Sequence, residues 1–358
     1  MTRVAVVAAL VVVSAALAAA FALGRNSRTA NSYGMQRLVS DGAVSAVTRD
    51  RSLVNAWGMA ASPTGPWWTS NEARNSSTLY SGAGRKQLLT VSVEGGPTGV
   101  VYYGGKGFRV AGSGKSDPAR FIYACEDGMI RAWTPTVPSA WSTKAEVTVD
   151  QAGSATVFRG LAISGDRLYA TDFHNGQVDV FDSRWRRVHV PGAFVDRSIP
   201  EWYAPFGIQA LGGHLFVTYI FRAPVNGNDA PTGGYVDEFD RNGKLVARVA
   251  RQGALNAPWG LALAPVSFGR FGGDLLVGNF GDGRINAFRR AGTGWRLDGT
   301  LHGSNGKPLV VNGLWAIAFG NGAGSGSAGT LFFASGPHEW RGATEQAVHG
   351  LLGAISAR

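Results

Sequence analysis

Six segments of the chain pass into an alternating apolar run through the same two-residue step, a residue that is most often aromatic followed by a small one. They are Trp57-Gly58, Thr98-Gly99, Arg159-Gly160, Phe206-Gly207, Trp259-Gly260 and Trp315-Ala316, and their second members stand 41, 61, 47, 53 and 56 residues apart. A repeat of this period suits one supersecondary unit of four short strands with loops of variable length, which cannot bury its apolar faces alone and must stack against its neighbours. Six such steps predict six blades arranged in a ring. The 51 glycines and the low share of charged residues, 16% of 358, agree with many strands joined by tight turns.

The strands can be placed within one repeat. In Leu255 to Phe288, Trp259 to Leu263 alternates small and large residues, Asp274 to Phe280 is apolar, and Arg284 to Phe288 follows a Gly-Asp-Gly turn. Asp-Gly between two apolar runs is a hairpin signal, because the central residues of the favoured turn need positive φ. The second and third strands recur as Phe121 to Ala124 with Met129 to Trp133, and as Leu168 to Phe173 with Gln177 to Phe181. Leu215 to Tyr219 and Tyr235 to Phe239 form the same pair around a long insertion, FRAPVNGNDAPTGG. The sixth repeat offers Leu331 to Ser335 and then only Gly350 to Ser356, so it is one strand short. Met35 to Ser40 precedes the first repeat and belongs to none. We expect it to become the outer strand of the sixth blade, since joining both termini in one sheet removes an exposed edge. The expected fold is therefore all-β, a single six-bladed β-propeller domain over residues 35–358.

The runs NAWGMAASPTGPWW, FIYACEDGMIRAW, GLAISGDRLYATDFHNGQVDVFD, YAPFGIQALGGHLFVTY, NAPWGLALAPVSFGRFGGDLLVGNFGDGRINAF and GLWAIAFGNG resemble an uncharacterised bacterial family of exported proteins. That resemblance implies a six-bladed propeller and an exported location, and it brings no reaction or substrate. More distantly the chain is similar to NHL-repeat propellers and to the gluconolactonase-like group. It does not reproduce the separated Glu, Asn and Asp ligand set of that group.

The N-terminus reads as a secretory signal. One positive charge within Met1 to Arg3 precedes the apolar stretch Val4 to Leu23, small residues at Ala18, Ala19, Ala20 and Ala22 offer a cleavage site, and residues 24–34 form a polar spacer. The same stretch is long enough to serve as an uncleaved anchor. Either reading places the remainder outside the cytoplasm, as an extracellular, periplasmic or envelope-associated monomer. The net charge of +10 suits an anionic cell-envelope polymer, while the scattered basic residues form no nucleic-acid footprint. The single cysteine, Cys125, excludes an internal disulfide and any Cys-rich metal site.

In a ring of blades, the link into each innermost strand and the turn between its second and third strands share one face. That face gathers Asn55, Arg159, Asn256 and Asn312 from the links, with Trp57, Trp259 and Trp315 beside them, as candidates to hold a small ligand. The turns add Asn71, Glu72, Glu126, Asp127, Asp172, His174, Asn279, Asp282, His338 and Glu339. Oxygen-rich loops of this kind suit a divalent cation such as Ca²⁺, with Glu126, Asp172 and Asn279 as candidate ligands. Asp172 and His174, at i and i+2 spacing on one strand face, are the best candidates for acid/base work. Each has a structural reading beside the functional one. Asp127, Asn175 and Asp282 precede glycine at turn tips, the asparagines can tie down the link backbone, and the aromatic residues are first of all wedges between blades. Gly112 to Ser116 and Gly324 to Gly329 imitate phosphate loops without the following helix, and no serine sits in a nucleophile elbow. Three functions stay open: a ligand- or polymer-binding propeller, a metal-dependent lactonase-type hydrolase, and a protein-interaction scaffold.

Overall fold

A computed structural model describes residues 31–222, 233–341, 344–347 and 349–358, with the backbone alone for 338–341 and 344–347. The signal-peptide stretch and most of the fourth-blade insertion lie outside the described residues. The chain forms six radial sheets around a central axis, antiparallel apart from the short parallel pairing of Thr48–Arg49 on the edge of the sixth, and the expected six-bladed propeller is the observed fold.

Blade 1 contains Ala56–Ala61, Trp67–Asn71, Ser76–Tyr80 and Lys86–Ser92, running from the axis outward. Blade 2 contains Pro97–Tyr102, Phe121–Cys125, Met129–Trp133 and Glu146–Asp150, with the short hairpin Arg109–Gly112 and Lys115–Pro118 inserted after its first strand. Blade 4 uses Tyr203–Leu211, His214–Phe221, Tyr235–Phe239 and Leu245–Arg251, and blade 5 uses Pro258–Leu263, Leu275–Asn279, Ile285–Ala291 and Gly294–Thr300. Blade 3 has three regular strands, Phe158–Ser164, Arg167–Asp172 and Gln177–Asp182. Its outer edge is reduced to one bridge from Phe181 to Arg187 and a bond from Val188 N–H to the Val180 carbonyl. The segment that follows carries Pro191 and Pro200, and proline has no N–H to extend a ladder.

Blade 6 is completed by both ends of the chain. Leu314–Phe319, Leu331–Ser335 and Leu351–Ala357 are followed outward by the N-terminal strand Tyr33–Ser40, which pairs antiparallel with Leu351–Ala357 from Tyr33 opposite Ala357 to Ser40 opposite Leu351. This is the expected ring closure, with the strand starting two residues earlier. Tyr33 extends the closure into the next seam, where it stacks on Phe271 at 5.9 Å and its hydroxyl donates to the Phe268 carbonyl at 3.2 Å.

The core lies in the seams between blades rather than in one centre. Trp68 stacks on Phe121 at 3.9 Å across the first seam, and Tyr169, Phe194 and Phe239 fill the seam between blades 3 and 4.

The glycine of each two-residue step has a geometric cause. In every blade the ladder between first and second strands shifts register at this position, which marks a β-bulge. A Cβ on Gly58 would stand 2.3 Å from the Thr98 carbonyl oxygen, one on Gly160 2.8 Å from that of Phe206, one on Gly207 2.3 Å from that of Trp259, and one on Gly260 2.5 Å from that of Trp315. Each glycine therefore lets the next innermost strand approach, and together they draw the ring tight around its axis. Blade 6 places Ala316 at the equivalent position.

Candidate functional site

The ring of glycines divides the axis into two unlike ends. At the lead-in end the aromatic residues of the two-residue steps turn inward and close it. Trp315 stacks on Trp57 at 3.8 Å and on Phe280 at 4.0 Å, with Phe206 tilted against it at 5.9 Å and Trp259 edge-on at 6.1 Å. The Arg159 guanidinium lies 5.2 Å from the Trp57 ring and 5.7 Å from that of Phe173, and it is ion-paired with Glu126. Trp57 and Trp315 are both 4% exposed, so the wedge reading of these residues describes their packing.

The polar candidates on this face are mostly engaged in holding the fold. Asn55, in the left-handed region at φ 46°, donates from its amide to Glu72 at 2.7 Å and accepts from the Trp315 indole at 2.9 Å. Asn279 donates to the Ala254 carbonyl and to Asp282, whose carboxylate also accepts from the Arg284 N–H. Asp127 accepts from the Met129 N–H and from Arg131. Asn312 is exposed. The side chains of His338 and Glu339 lie outside the described residues. Among the described residues no group of three or more His, Cys, Asp or Glu side chains is arranged to hold a metal ion. Glu126, Asp172 and Asn279 stand in separate blades with separate partners.

Asp172 and His174 are not brought together. The strand Arg167–Asp172 ends at the aspartate, so the two-residue alternation that would align the pair stops before His174. Asp172 is fully buried and accepts from the Thr156 hydroxyl, the backbone N–H groups of Val157 and Asn175, and the Asn175 amide at 2.7 Å. His174 is exposed, and its carbonyl accepts from Arg222. The carboxylate is an organiser of the Asn-Gly turn.

Some donors and acceptors at the lead-in end have no partner among the described residues. Among the described residues, the indole nitrogens of Trp57 and Trp259 and the amide oxygens of Asn256 and Asn279 are buried without a hydrogen bond.

At the opposite end the axis opens. Beyond a neck of about 20 Å³, bordered by Gly58, Gly99, Trp259 and Ala316, lies a funnel of about 320 Å³. Its wall is built from the last residues of the innermost strands, among them Ala60, Val101, Ala162, Gln209 and Ala318, with Tyr102, Phe319 and Asn321 at the mouth. Among the described residues no acidic, basic or imidazole side chain lines it. Asn321 is committed to the fold, donating to the Ser62 and Gly65 carbonyls at 2.8 Å each. The ladder registers make Ala60, Val101, Ala162, Gln209, Ala262 and Ala318 equivalent, one per blade. Gln209 is the polar exception in that otherwise apolar set. Sequence reading missed this residue because nothing in its neighbourhood is a motif. The signal was the alignment itself, in which one position of the repeat changes character once.

A second repeated feature also went unread. In five of the six blades a buried polar group sits two residues before an aromatic of the third strand: Thr78, Arg131, Asp179, Asp237 and Asn286. Burial pushes the Asp179 carboxyl up to about 6 and the Asp237 carboxyl up to about 7, with Arg187 and Arg248 opposing the rise. Arg248 bridges Asp237 to Asp196. Arg131 lies beside Cys125, a fully buried thiol that burial pushes up to about 12, which makes it an inert packing residue.

No known protein-family profile matches the chain. Among solved structures it is similar in fold to the soluble aldose sugar dehydrogenase of Escherichia coli, with a TM-score of 0.56 at 13% identity over 91% of this chain and 100% of that one. It is similar likewise to virginiamycin B lyase of Staphylococcus aureus, with a TM-score of 0.52 at 10% identity over 91% and 100%. At such identities the likeness is one of fold. In sequence it is 32% identical over 306 residues to the uncharacterised protein L690 of Acanthamoeba polyphaga mimivirus, covering 81% of this chain and 80% of that one. It is 33% identical over 304 residues to the uncharacterised protein R648 of the same virus, covering 81% and 74%. These relatives are viral, where the motifs resemble a bacterial exported group. The chain belongs to the propeller family that includes the mimivirus proteins L690 and R648.

Proposed function

We propose that this protein is an exported binding propeller that takes an uncharged small molecule into the funnel at the open end of its axis. The observation that carries the reading is the funnel itself, about 320 Å³ of space that no acidic, basic or imidazole side chain among the described residues lines and into which Gln209 is set. Concave sites of this size that carry a few placed polar groups are where small ligands bind. A charged ligand would lose its hydration there and find no counter-charge, whereas the Gln209 amide offers one donor and one acceptor group to a neutral polar one. The wall holds no carboxylate, imidazole, amine or thiol to move a proton, which favours binding over hydrolysis at this end.

The test is titration calorimetry with neutral saccharides and nucleosides set against their charged counterparts, the saccharides first because a structural neighbour is a sugar dehydrogenase. The expected result is binding of neutral compounds only, weakened about tenfold in Gln209→Ala, which installs the residue that other blades carry at this position. Neutral and charged compounds binding alike, or a Gln209→Ala protein with unaltered affinity, would count against the funnel. A second reading places the ligand at the lead-in end, where the buried indole nitrogens of Trp57 and Trp259 have no acceptor among the described residues. Loss of binding in Trp259→Phe but not in Gln209→Ala would move the site there.

A further inference from the structure

The face onto which the funnel opens is electrically lopsided. Four loops on this face, residues 103–120, 165–167, 182–188 and 240–244, contain ten basic and four acidic residues. They form one continuous surface across blades 2, 3 and 4, because hydrogen bonds join each to the next. The Phe108 N–H donates to the Ser183 carbonyl, and the Trp185 indole donates to the Arg109 carbonyl at 2.8 Å. The Tyr103 hydroxyl donates to Asp166 at 3.0 Å, and Arg167 donates to the Asn242 side chain at 3.0 Å. Lys106, Lys115, Arg184, Arg241 and Lys244 are exposed, and among the described residues none of these five side chains is paired with a carboxylate. The acids that the arc does contain are partly spent internally, as where Arg186 closes on Asp182.

We infer that this basic arc is a docking surface for a linear glycan bearing carboxylate groups. A row of unpaired cations on loops fixed by their neighbours attracts a polyanion without the cost of ordering the loops, leaving only that of the side chains. Two of the five unpaired cations, Arg184 and Arg241, are arginine, whose planar fork matches carboxylate geometry. The arc lacks the features that other polyanionic partners call for. Single-stranded nucleic acid is held by exposed aromatic rings on which bases stack, but Tyr103 and Phe108 are buried and Trp185 packs edge-on against Phe108. An anionic membrane surface is gripped by apolar side chains inserted among charges, and none of the large exposed apolar side chains falls within the four segments. The inference concerns a surface and stands whether or not the funnel is occupied.

The test is binding of the purified protein to immobilised polygalacturonate, with dextran as the neutral control, a single-stranded DNA oligonucleotide and phosphatidylserine vesicles as competitors, and salt as the variable. The expected result is retention on polygalacturonate but not dextran, falling steeply with salt, and weakened about tenfold or more in the Arg184→Ala/Arg241→Ala double variant. Both substitutions leave in place the backbone bonds these residues make to Asp182, Arg167 and Tyr169. An Arg74→Ala/Arg251→Ala variant removes the same charge from the lead-in face and is expected to bind as the parent does. Equal weakening in both variants would show a net-charge effect and overturn the arc. Absence of retention at low salt, or displacement by DNA or vesicles at lower concentration than by free polygalacturonate, would overturn the glycan.

Discussion

The tightness of the ring can be tested by adding single methyl groups to it. Gly207 lies in the innermost strand of blade 4, and a Cβ there would sit 2.3 Å from the Trp259 carbonyl oxygen and 3.0 Å from the carbon that bears it. Both are backbone atoms of the next innermost strand, so no rotamer change can relieve the contact. Gly58, Gly207 and Gly260 have no positive φ, so alanine suits their backbone and any cost of substitution is steric. Overpacking a core costs about 1–3 kcal/mol where side chains can yield. Here the closed ring must widen, and we expect at least about 3 kcal/mol for Gly207→Ala or Gly260→Ala, a large part of the roughly 5–15 kcal/mol that holds a typical domain together. Ala316→Gly runs the comparison backwards at the one blade that carries alanine. It is expected to cost only about 1 kcal/mol, from lost backbone restriction. Urea unfolding followed by tryptophan fluorescence measures all three. Gly207→Ala unfolding within about 0.5 kcal/mol of the parent would refute the claim that these glycines are required by strand approach.

Two further outcomes follow from the buried acids. Burial lifts the Asp237 carboxyl from its ordinary 3.8 to about 7, so the folded state holds this proton more tightly than the unfolded one. The stability it contributes is full below about pH 4 and is lost as the pH rises through 7, by up to roughly 4 kcal/mol. Asp237→Asn should flatten the pH dependence of the urea midpoint over that window, and parallel curves for variant and parent would contradict it. Asp172→Ala removes the acceptor of four hydrogen bonds and is expected to cost about 2 kcal/mol or more, while His174→Ala on the exposed turn should stay within about 0.5 kcal/mol. Thermal unfolding compares them, and the reverse order would restore His174 as a residue of interest.

The fold was legible because the features that repeat are those that backbone geometry imposes. A bulge that brings two innermost strands together admits little beyond glycine, and the Gly128, Gly176 and Gly283 turns, with φ of 77°, 69° and 68°, require it. Such constraints act on single positions and survive while the rest of the blade diverges. The site was far less legible. The alternation that paired Asp172 with His174 holds only inside a strand, and the strand ends between them. The funnel left no trace because its wall is made of alanines and strand ends from several separate segments, each unremarkable alone. The third-strand polar positions were in plain view, but their chemistry differs from blade to blade, and only the shared register identifies them as one feature.

That register also accounts for the direction in which the axis opens. The bulge sets the bulky member of each two-residue step, Trp57, Phe206, Trp259 or Trp315, at the lead-in end. Three residues along each strand the equivalent position holds Ala60, Ala162, Ala262 or Ala318. A blade copied around the ring therefore seals one end with aromatic rings and leaves the other wide, before any selection for a ligand acts. Substitutions at the sealed end disturb several seams together, since Trp315 alone packs against rings from blades 1, 4 and 5. Substitutions at the open end, such as at Ala162 or Ala262, meet a single seam and change what the cavity presents. Gln209 is such a change, and the basic arc on the blades beside it is another. Both lie on the face where the repeat places fewest demands of its own.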